Sequence, residues 1–364
     1  MLLLSIFLAV VLLNTAYFIL FSKFSFSSSP EIKSREPFPV SLIICAKNEA
    51  DNLRENIPLW LDQDHPDFEI ILINDSSTDD TKKVIEQAAE THERIHTVNI
   101  ENNEAFWSNK KYSLTLGIKR AFNKRLLFTD ADCKPASNQW LRLMTADLDD
   151  QKQLVLGYGA YQSQPGLLNA LIRFETVMSA VQYFSYAKAG MPYMGVGRNL
   201  AYTSQLFYDN SGFMSHMSVP SGDDDLFVNE VATKENTSCC YHEDAFTYSI
   251  AKRSFKEWFR QKRRHITTAK YYKPRHRILL AGYYLSNLLF WLLGILCFFF
   301  VDWKIPLAVI IFRFLLQYLF IGNALKLLKE KKLLPYLPFL ELFLVFFQLT
   351  IFISNKVVKP KRWK

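Results

Sequence analysis

PVSLIICA at 39–46, EADNLRENIPLWL at 49–61, FEIILIND at 68–75, STDDTKKVIEQAAE at 77–90, IHTVNI at 95–100, KKYSLTLGIKRAF at 110–122 and RLLFTDAD at 125–132 follow one another along the chain. Short apolar runs alternate with helix-like stretches, the pattern of repeated βαβ units. Residues 41–46 and 69–73 show little alternation between apolar and polar side chains, as strands do when helices cover both faces of a parallel sheet. An α/β domain is therefore expected here. Ligands of such sheets sit at the carboxyl ends of the strands.

Outward from this block the chain changes character. Its 364 residues are 49% hydrophobic and include 30 Phe and 17 Tyr, more apolar than a soluble globular chain. The five cysteines, at 45, 133, 239, 240 and 297, form no Cys-x-x-Cys pair, which argues against a disulfide framework and a zinc cluster and for reduced thiols. The net charge is +8, and eleven of the 43 Lys and Arg fall within 252–277, leaving 32 against 34 acids elsewhere. A basic block beside an apolar segment points to anionic headgroups or phosphates rather than nucleic acid.

Residues 1–21 carry no charge and are long enough to cross about 30 Å of hydrocarbon. Lys23, Lys33 and Arg35 follow this segment, so it reads as a spanning helix with the next domain in the cytoplasm, not as a cleaved signal. Three more apolar runs, 278–301, 305–325 and 333–354, lie beyond the block. The expected organisation is a span at 1–21, a soluble domain at 36–251, a basic amphipathic interface at 252–277, a membrane region of two or three helices at 278–355 and a basic tail at 356–364. Within the interface, Trp258 and Phe259 are expected at headgroup level among the Lys and Arg. Arg313 and Glu341 lie inside apolar runs, where a structural ion pair between neighbouring helices is the simplest account. Three crossings after a cytoplasmic domain would leave the tail's five basic residues outside, against the positive-inside tendency. Segment 333–354, with Pro335, Pro338 and Glu341, is the one expected not to cross.

Polar clusters stand at the strand ends. Ala46, Lys47, Asn48 and Glu49 follow the first strand without a Gly-x-Gly-x-x-Gly turn, which disfavours dinucleotide binding. Asp75 closes the second strand, and Ser77 and Thr78 can cap the next helix without it. Asp130 and Asp132 stand two residues apart directly after an apolar run. Carboxylates so spaced in an extended segment point the same way and can share one hard cation. Further on, Asp223, Asp224 and Asp225 are sequence neighbours, and mutual repulsion raises the pKa of at least one toward neutrality, as a proton acceptor needs.

Taken in order, VSLIICAKN (40–48), NDSSTDD (74–80), Lys110 or Lys111 before an apolar helix, FTDAD (128–132), GVGRNLA (195–201), Gly222-Asp223-Asp224 and QKRRH (261–265) resemble the family 2 glycosyltransferases, whose nucleotide-sugar domain has the GT-A type of fold. The resemblance implies a Rossmann-like, mostly parallel mixed sheet and an inverting transfer from a UDP- or GDP-linked sugar. It implies a donor site that includes Ala46, Asn48, Glu49, Asp75, Lys110 and Asp130, and Mg²⁺ or Mn²⁺ on Asp130 and Asp132. An aspartate base is implied at Asp224, with Asp223 the choice after a one-residue slip. Gly197, Asn199, Gln261 and Arg264 are expected at the acceptor or the diphosphate. A lipid or glycan acceptor at the membrane suits the basic interface. The runner-up is a processive polysaccharide synthase of the same family, disfavoured because His265 stands where the Gln-x-x-Arg-Trp motif has its Trp. A non-enzymatic scaffold would have no need of four strand-end carboxylates.

Overall fold

The computed structural model describes residues 1–28, 37–101 and 110–357. Lys33, Arg35 and the tail beyond residue 357 lie outside the described residues. In chain order the elements are α1 (Leu2–Ser25), β1 (Val40–Ala46), α2 (Ala50–Leu61), β2 (Phe68–Asp75), α3 (Thr81–Thr91), β3 (Ile95–Ile100), α4 (Lys110–Arg120), β4 (Arg125–Asp130), β5 (Lys134–Pro135) and α5 (Trp140–Thr145). They continue with β6 (Leu154–Leu156), β7 (Gly159–Tyr161), α6 (Leu167–Lys188), β8 (Leu200–Thr203), α7 (Ser204–Asp209), α8 (Asp225–Val231), β9 (Thr237–Cys239) and β10 (Thr247–Ser249). The last helices are α9 (Phe255–His265), α10 (Pro274–Phe300), α11 (Lys304–Leu327) and α12 (Leu337–Val357).

Two compact units result. The sheet unit holds the described residues of 37–162 together with Gly190–Ala251. Its seven strands run in the order β3-β2-β1-β4-β8-β6-β9, with a second sheet in the order β5-β10-β7. The pairs β3–β2, β2–β1, β1–β4 and β6–β9 are parallel, and β8 runs antiparallel to both β4 and β6. The expected α/β architecture is borne out, and its uninterrupted strands are buried along their length: every residue of β2 is buried. Trp60 and Trp140 are fully buried in the same core as Leu42, Ile44, Leu72 and Leu127. Helix α4 approaches the sheet closely because residue 117 is glycine; a Cβ there would stand 2.3 Å from Ile73 Cδ1.

The helical unit holds Met1–Ser28, Ser163–Ala189 and the described residues 252–357. The soluble block expected at 36–251 is thus interrupted, since α6 groups with the terminal helices. The reason is its surface: Phe184 stacks on Phe24 at 5.0 Å, Tyr186 on Phe21 at 6.5 Å, and the buried Arg173 pairs with Glu330, which follows α11. Among the described residues, Leu2–Ser25, Pro274–Phe300, Lys304–Leu327 and Lys331–Val357 are long and apolar enough to cross a membrane. Pro335 and Pro338 do not interrupt the last of these. Pro335 lies in a 3₁₀ segment, Lys331–Tyr336, and Pro338 in the first turn of α12, where a missing N–H breaks no helical bond.

Arg313 on α11 is 0% exposed and donates to Asn14 Oδ1 of α1 at 3.1 Å, Asn287 Oδ1 of α10 at 2.7 Å and Glu341 Oε1 of α12 at 2.6 Å. The expected interhelical ion pair is present, within a polar centre shared by four helices. The interface helix differs from expectation. Ser254 caps α9 by accepting from the Glu257 N–H, but Trp258 is fully buried and stacks on Phe347 of α12 at 4.0 Å. Trp258 is therefore covered by protein rather than turned to headgroups, while Phe255 on the same helix stays 45% exposed. Arg263 donates to Asn355 Oδ1 at 2.7 Å and Asn355 Nδ2 donates back to the Arg263 carbonyl at 3.1 Å, which fixes the end of α12 to α9.

Candidate functional site

The parallel register aligns the ends of β2, β1 and β4: Ala46 pairs with Asn74, and Cys45 with both Ile73 and Asp130. Asp75 and Asp130 therefore emerge at one edge of the sheet, on either side of the loop after β1. That loop and the one after β2 are tied together. Asn48, with a φ of 57°, donates its N–H to Ser77 Oγ at 3.0 Å and accepts from the Thr78 N–H on Oδ1 at 2.8 Å, while the Glu49 N–H donates to Thr81 Oγ1 at 2.8 Å. Asp75 accepts from Ser113 Oγ of α4 at 2.8 Å and lies 4.0 Å from Lys47 Nζ.

Lys110, at the head of α4, pairs with two further carboxylates. Its Nζ stands 2.6 Å from Asp130 Oδ1 and 3.3 Å from Asp223 Oδ2. Burial alone would lower its pKa, but Asp130 and then Asp223 reverse this and hold the ammonium well above its ordinary value. The Asp turn is shaped by Gly222, whose φ of +98° favours glycine; a Cβ there would also stand 2.5 Å from Leu226 Cδ1. Asp224 accepts from the Gly197 N–H on Oδ2 at 2.8 Å and from the Asp225 N–H on Oδ1 at 2.7 Å. Burial, then the charges of Asp223 and Asp225, push its pKa up to about 7 despite the Gly197 bond. One pocket is lined by Lys110, Phe128, Thr129, Gly197, Asp223 and Asp224, with Leu114, Leu200 and Tyr202 completing the wall. Tyr202 stacks on Phe128 at 4.4 Å, so the floor is rigid aromatic surface.

Asp130, Asp132 and Cys133 each offer an atom within 4.8 Å of the others. Burial and then the Asp132 and Asp130 carboxylates hold the Cys133 thiol well above its ordinary pKa, and it contacts Asp132 Oδ1 at 3.4 Å as a donor. The two carboxylates are the available anionic donors, a hard oxygen pair that fits Mg²⁺ or Mn²⁺ better than a thiolate-seeking metal.

Of the expected site residues, Asp75, Lys110, Asp130, Asp223, Asp224 and Gly197 come together in the sheet unit, and Ala46, Asn48 and Glu49 border Asp75. Asn199 does not present its side chain. It is fully buried, accepting from Trp140 Nε1 at 3.0 Å and donating to the carbonyls of Tyr158 at 3.0 Å and Ala245 at 2.7 Å. Gln261 and Arg264 belong to the helical unit, on α9. Arg198 was missed by sequence reasoning. Its guanidinium donates to the carbonyls of Gly159 at 2.7 Å and Ala160 at 3.2 Å and to Ser249 Oγ at 2.8 Å, and it stacks over Tyr161 at 4.2 Å. Its own carbonyl accepts from Thr129 Oγ1 at 2.9 Å and Thr247 Oγ1 at 3.0 Å, joining the end of β4 to the small sheet. A lone Arg after two glycines gives no sequence signal for this.

Comparison with known proteins agrees with this architecture. Residues 41–200 match the family described as Glycosyl transferase family 2. A Bacillus subtilis (strain 168) protein named as a teichuronic acid biosynthesis glycosyltransferase, TuaG, is 34% identical over 95 residues, 26% of this chain and 36% of that one. The poly-β-1,6-N-acetyl-D-glucosamine synthase of Staphylococcus epidermidis is 27% identical over 123 residues, 33% of this chain and 29% of that one. The chain thus spans about a third of the length of the curated relatives it matches. Among solved structures, the mannosyltransferase PcManGT from Pyrobaculum calidifontis, in complex with GDP-Man and Mn²⁺, aligns with a TM-score of 0.59 at 17% identity, covering 93% of this chain and 99% of that one. At that identity the likeness speaks for the fold.

Proposed function

We propose, from the match of residues 41–200 to Glycosyl transferase family 2, that the protein is a membrane-anchored inverting glycosyltransferase. Its donor is a nucleoside diphosphate sugar and its acceptor a lipid or glycan at the membrane surface. The carrying observation is the convergence of Asp130 and Asp223 on Lys110 Nζ beside one pocket. It puts the carboxylates expected at the leaving diphosphate next to the turn that bears a carboxylate able to take a proton near pH 7.

In this reading Asp75 and the tied loops around Asn48 and Glu49 hold the nucleoside. Lys110, already paired to two carboxylates, carries positive charge toward the diphosphate. Asp130 and Asp132 would hold Mg²⁺ or Mn²⁺, which when bound neutralises charge on the leaving group. Asp224, oriented by the Gly197 and Asp225 N–H groups, accepts the proton of the acceptor hydroxyl as that oxygen attacks the anomeric carbon. Gln261 and Arg264 are proposed to meet the acceptor or the diphosphate. PcManGT, solved with GDP-Man and Mn²⁺, supports both the donor class and the metal. The test is an assay of detergent-purified protein against a panel of UDP- and GDP-sugars. Neither transfer nor donor hydrolysis with any of them would refute the proposal. Processive synthesis remains the second reading because of the similarity to a polysaccharide synthase, and a polymer ladder instead of one added sugar would select it.

Metal dependence follows from the Asp130–Asp132 pair. Asp132→Asn is expected to lower turnover by at least about 10²-fold while leaving the thermal midpoint of the protein nearly unchanged. Excess chelator should abolish transfer. Full activity in chelator would remove the metal from the proposal.

The proposed setting is the cell membrane, with the sheet unit cytoplasmic and the helical unit multi-pass. If α10 crosses outward and α11 returns, α12 begins on the cytoplasmic side. Its end is tied to Arg263, which precedes α10 and shares that side. Both ends of α12 are then cytoplasmic, so α12 inserts obliquely without crossing, and the basic tail obeys the positive-inside tendency. A Cys replacing the exposed Lys356 should resist an impermeant maleimide in intact cells and react after permeabilisation. Labelling of intact cells would require a fourth crossing.

A further inference from the structure

Two consecutive lysines open α4, and a helix sets them about 100° apart. Lys110 faces Asp130 and Asp223. Lys111 turns away from them: it is 2% exposed, and its Nζ donates to the carbonyls of His216 at 2.7 Å and Val219 at 3.0 Å. These carbonyls belong to the turn that runs through the 3₁₀ segment Met214–His216 toward Gly222 and the Asp223–Asp224 pair. A buried ammonium is unfavourable unless its charge finds partners, and carbonyls of an irregular turn need donors. Each need meets the other here. Burial draws the Lys111 pKa down to about 8 against the opposing charges of Asp223, Asp225 and Asp224.

Another tie of the same turn, Ser215 Oγ donating to Glu230 of α8 at 2.7 Å, does not fix it to the sheet. Helix α8 starts at Asp225, so turn, Asp pair and α8 form one piece that this bond only closes on itself. Lys111 joins that piece to α4, and α4 is set on the sheet by Gly117. The piece also meets the rest of the sheet unit on its other side, where the Gly197 N–H donates to Asp224 Oδ2 at 2.8 Å, Phe227 packs on Tyr202 of β8 at 4.8 Å and Phe213 on Phe207 at 5.1 Å, so Lys111 supplies the hold from α4.

We infer that Lys111 is a positioning residue, clamping the 214–219 turn to the head of α4 so that Asp224 stands at a fixed place relative to the end of β4. This rests on the reading of Asp224 as the base. The helix that presents Lys110 to the carboxylates thereby also sets the distance between base and leaving group. Misplacement by about 1 Å costs on the order of 10²-fold in rate.

The test compares full-length wild type, Lys111→Met and Lys111→Arg in detergent by three readouts: amide hydrogen exchange, titration with UDP and Mn²⁺, and transfer kinetics with the donor found in the sugar panel. Lys111→Met should speed exchange over 214–222 about tenfold and leave UDP affinity within about twofold. Its kcat should fall about 10- to 100-fold with little change in donor KM. Lys111→Arg, which keeps the charge and two donors, should recover most of both effects. Unchanged exchange overturns the clamp whatever the kinetics give. Faster exchange with an unchanged kcat overturns its link to the base. Loss of UDP affinity equal to the loss of kcat would mark general unfolding and also refute the inference. If wild type transfers nothing, the glycosyltransferase reading fails by itself, and the exchange result still decides whether the clamp exists.

Discussion

Asp224→Asn is expected to bind the nucleotide donor as wild type does and to transfer sugar 10²- to 10⁴-fold more slowly, the usual loss when a general base is removed. Two backbone N–H groups orient this carboxylate, and Asp223 and Asp225 crowd it. With a pKa raised to about 7, only the ionised form takes a proton, so wild-type kcat/KM should climb about tenfold per pH unit below pH 7 and level above it. Asp223→Asn removes a neighbouring charge and should move this acid limb to lower pH, with an intermediate loss of rate because Lys110 loses a partner. Asp225 is 9% exposed and accepts from the Leu226 N–H at 2.8 Å, so Asp225→Asn should tell mainly on stability. A second readout has a definite sign. A carboxyl whose folded pKa lies above its unfolded value of about 3.9 favours folding fully below that value and loses this contribution as pH rises to about 7. The wild-type thermal midpoint should therefore carry a downward component between about pH 4 and 7 that Asp224→Asn lacks. If Asp224→Asn transfers at near the wild-type rate while Asp223→Asn is dead, the base is Asp223.

What could be read from the sequence was what is local. The strands β1, β2 and β4 announced themselves because continuous apolar runs of their length have few other homes. Asp75, Asp130 and Asp223 were singled out by their places at strand ends and in a turn, and the structure brings Asp130 and Asp223 to one lysine. Residues whose role depends on a distant partner were not legible. Asn199 looked like a ligand-facing amide after two glycines, yet its partner Trp140 lies 59 residues away, and nothing near Asn199 in sequence signals an indole in need of an acceptor. The grouping of α6 with the terminal helices depends on Arg173 meeting Glu330, 157 residues on. Trp258 among Lys and Arg has the composition of a lipid-facing helix, and only the position of Phe347 reveals that protein covers it. Lys110 and Lys111 were interchangeable as letters; the helix period turns them about 100° apart and gives them different partners.

The other large effect lies in the helical unit. Arg313 sits on α11 and reaches one residue on each of α1, α10 and α12, and its guanidinium lies 4.6 Å from the Phe290 ring and 5.1 Å from Phe18. Association of apolar helices in lipid has no hydrophobic drive, so polar bonds and close packing decide it. Removing one partner of a buried ion pair costs about 3–5 kcal/mol, because a charge is left without compensation. The two halves should differ. Arg313→Met leaves the Glu341 carboxylate, which the centre holds by a single bond, to Arg313. Glu341→Gln leaves a guanidinium that stays charged in any protein environment, surrounded by neutral amides, those of Asn14 and Asn287 and the introduced one, and by aromatic faces, with no carboxylate to balance it. Glu341→Gln should therefore be the more damaging, seen as a larger loss of the monodisperse peak in detergent and a lower thermal midpoint. The double change Arg313→Met with Glu341→Leu removes both charges and replaces them with apolar bulk, so it should recover much of what either single change loses. Single variants that match wild type, or a double variant no better than the worse single one, would show that the four helices hold together without this centre.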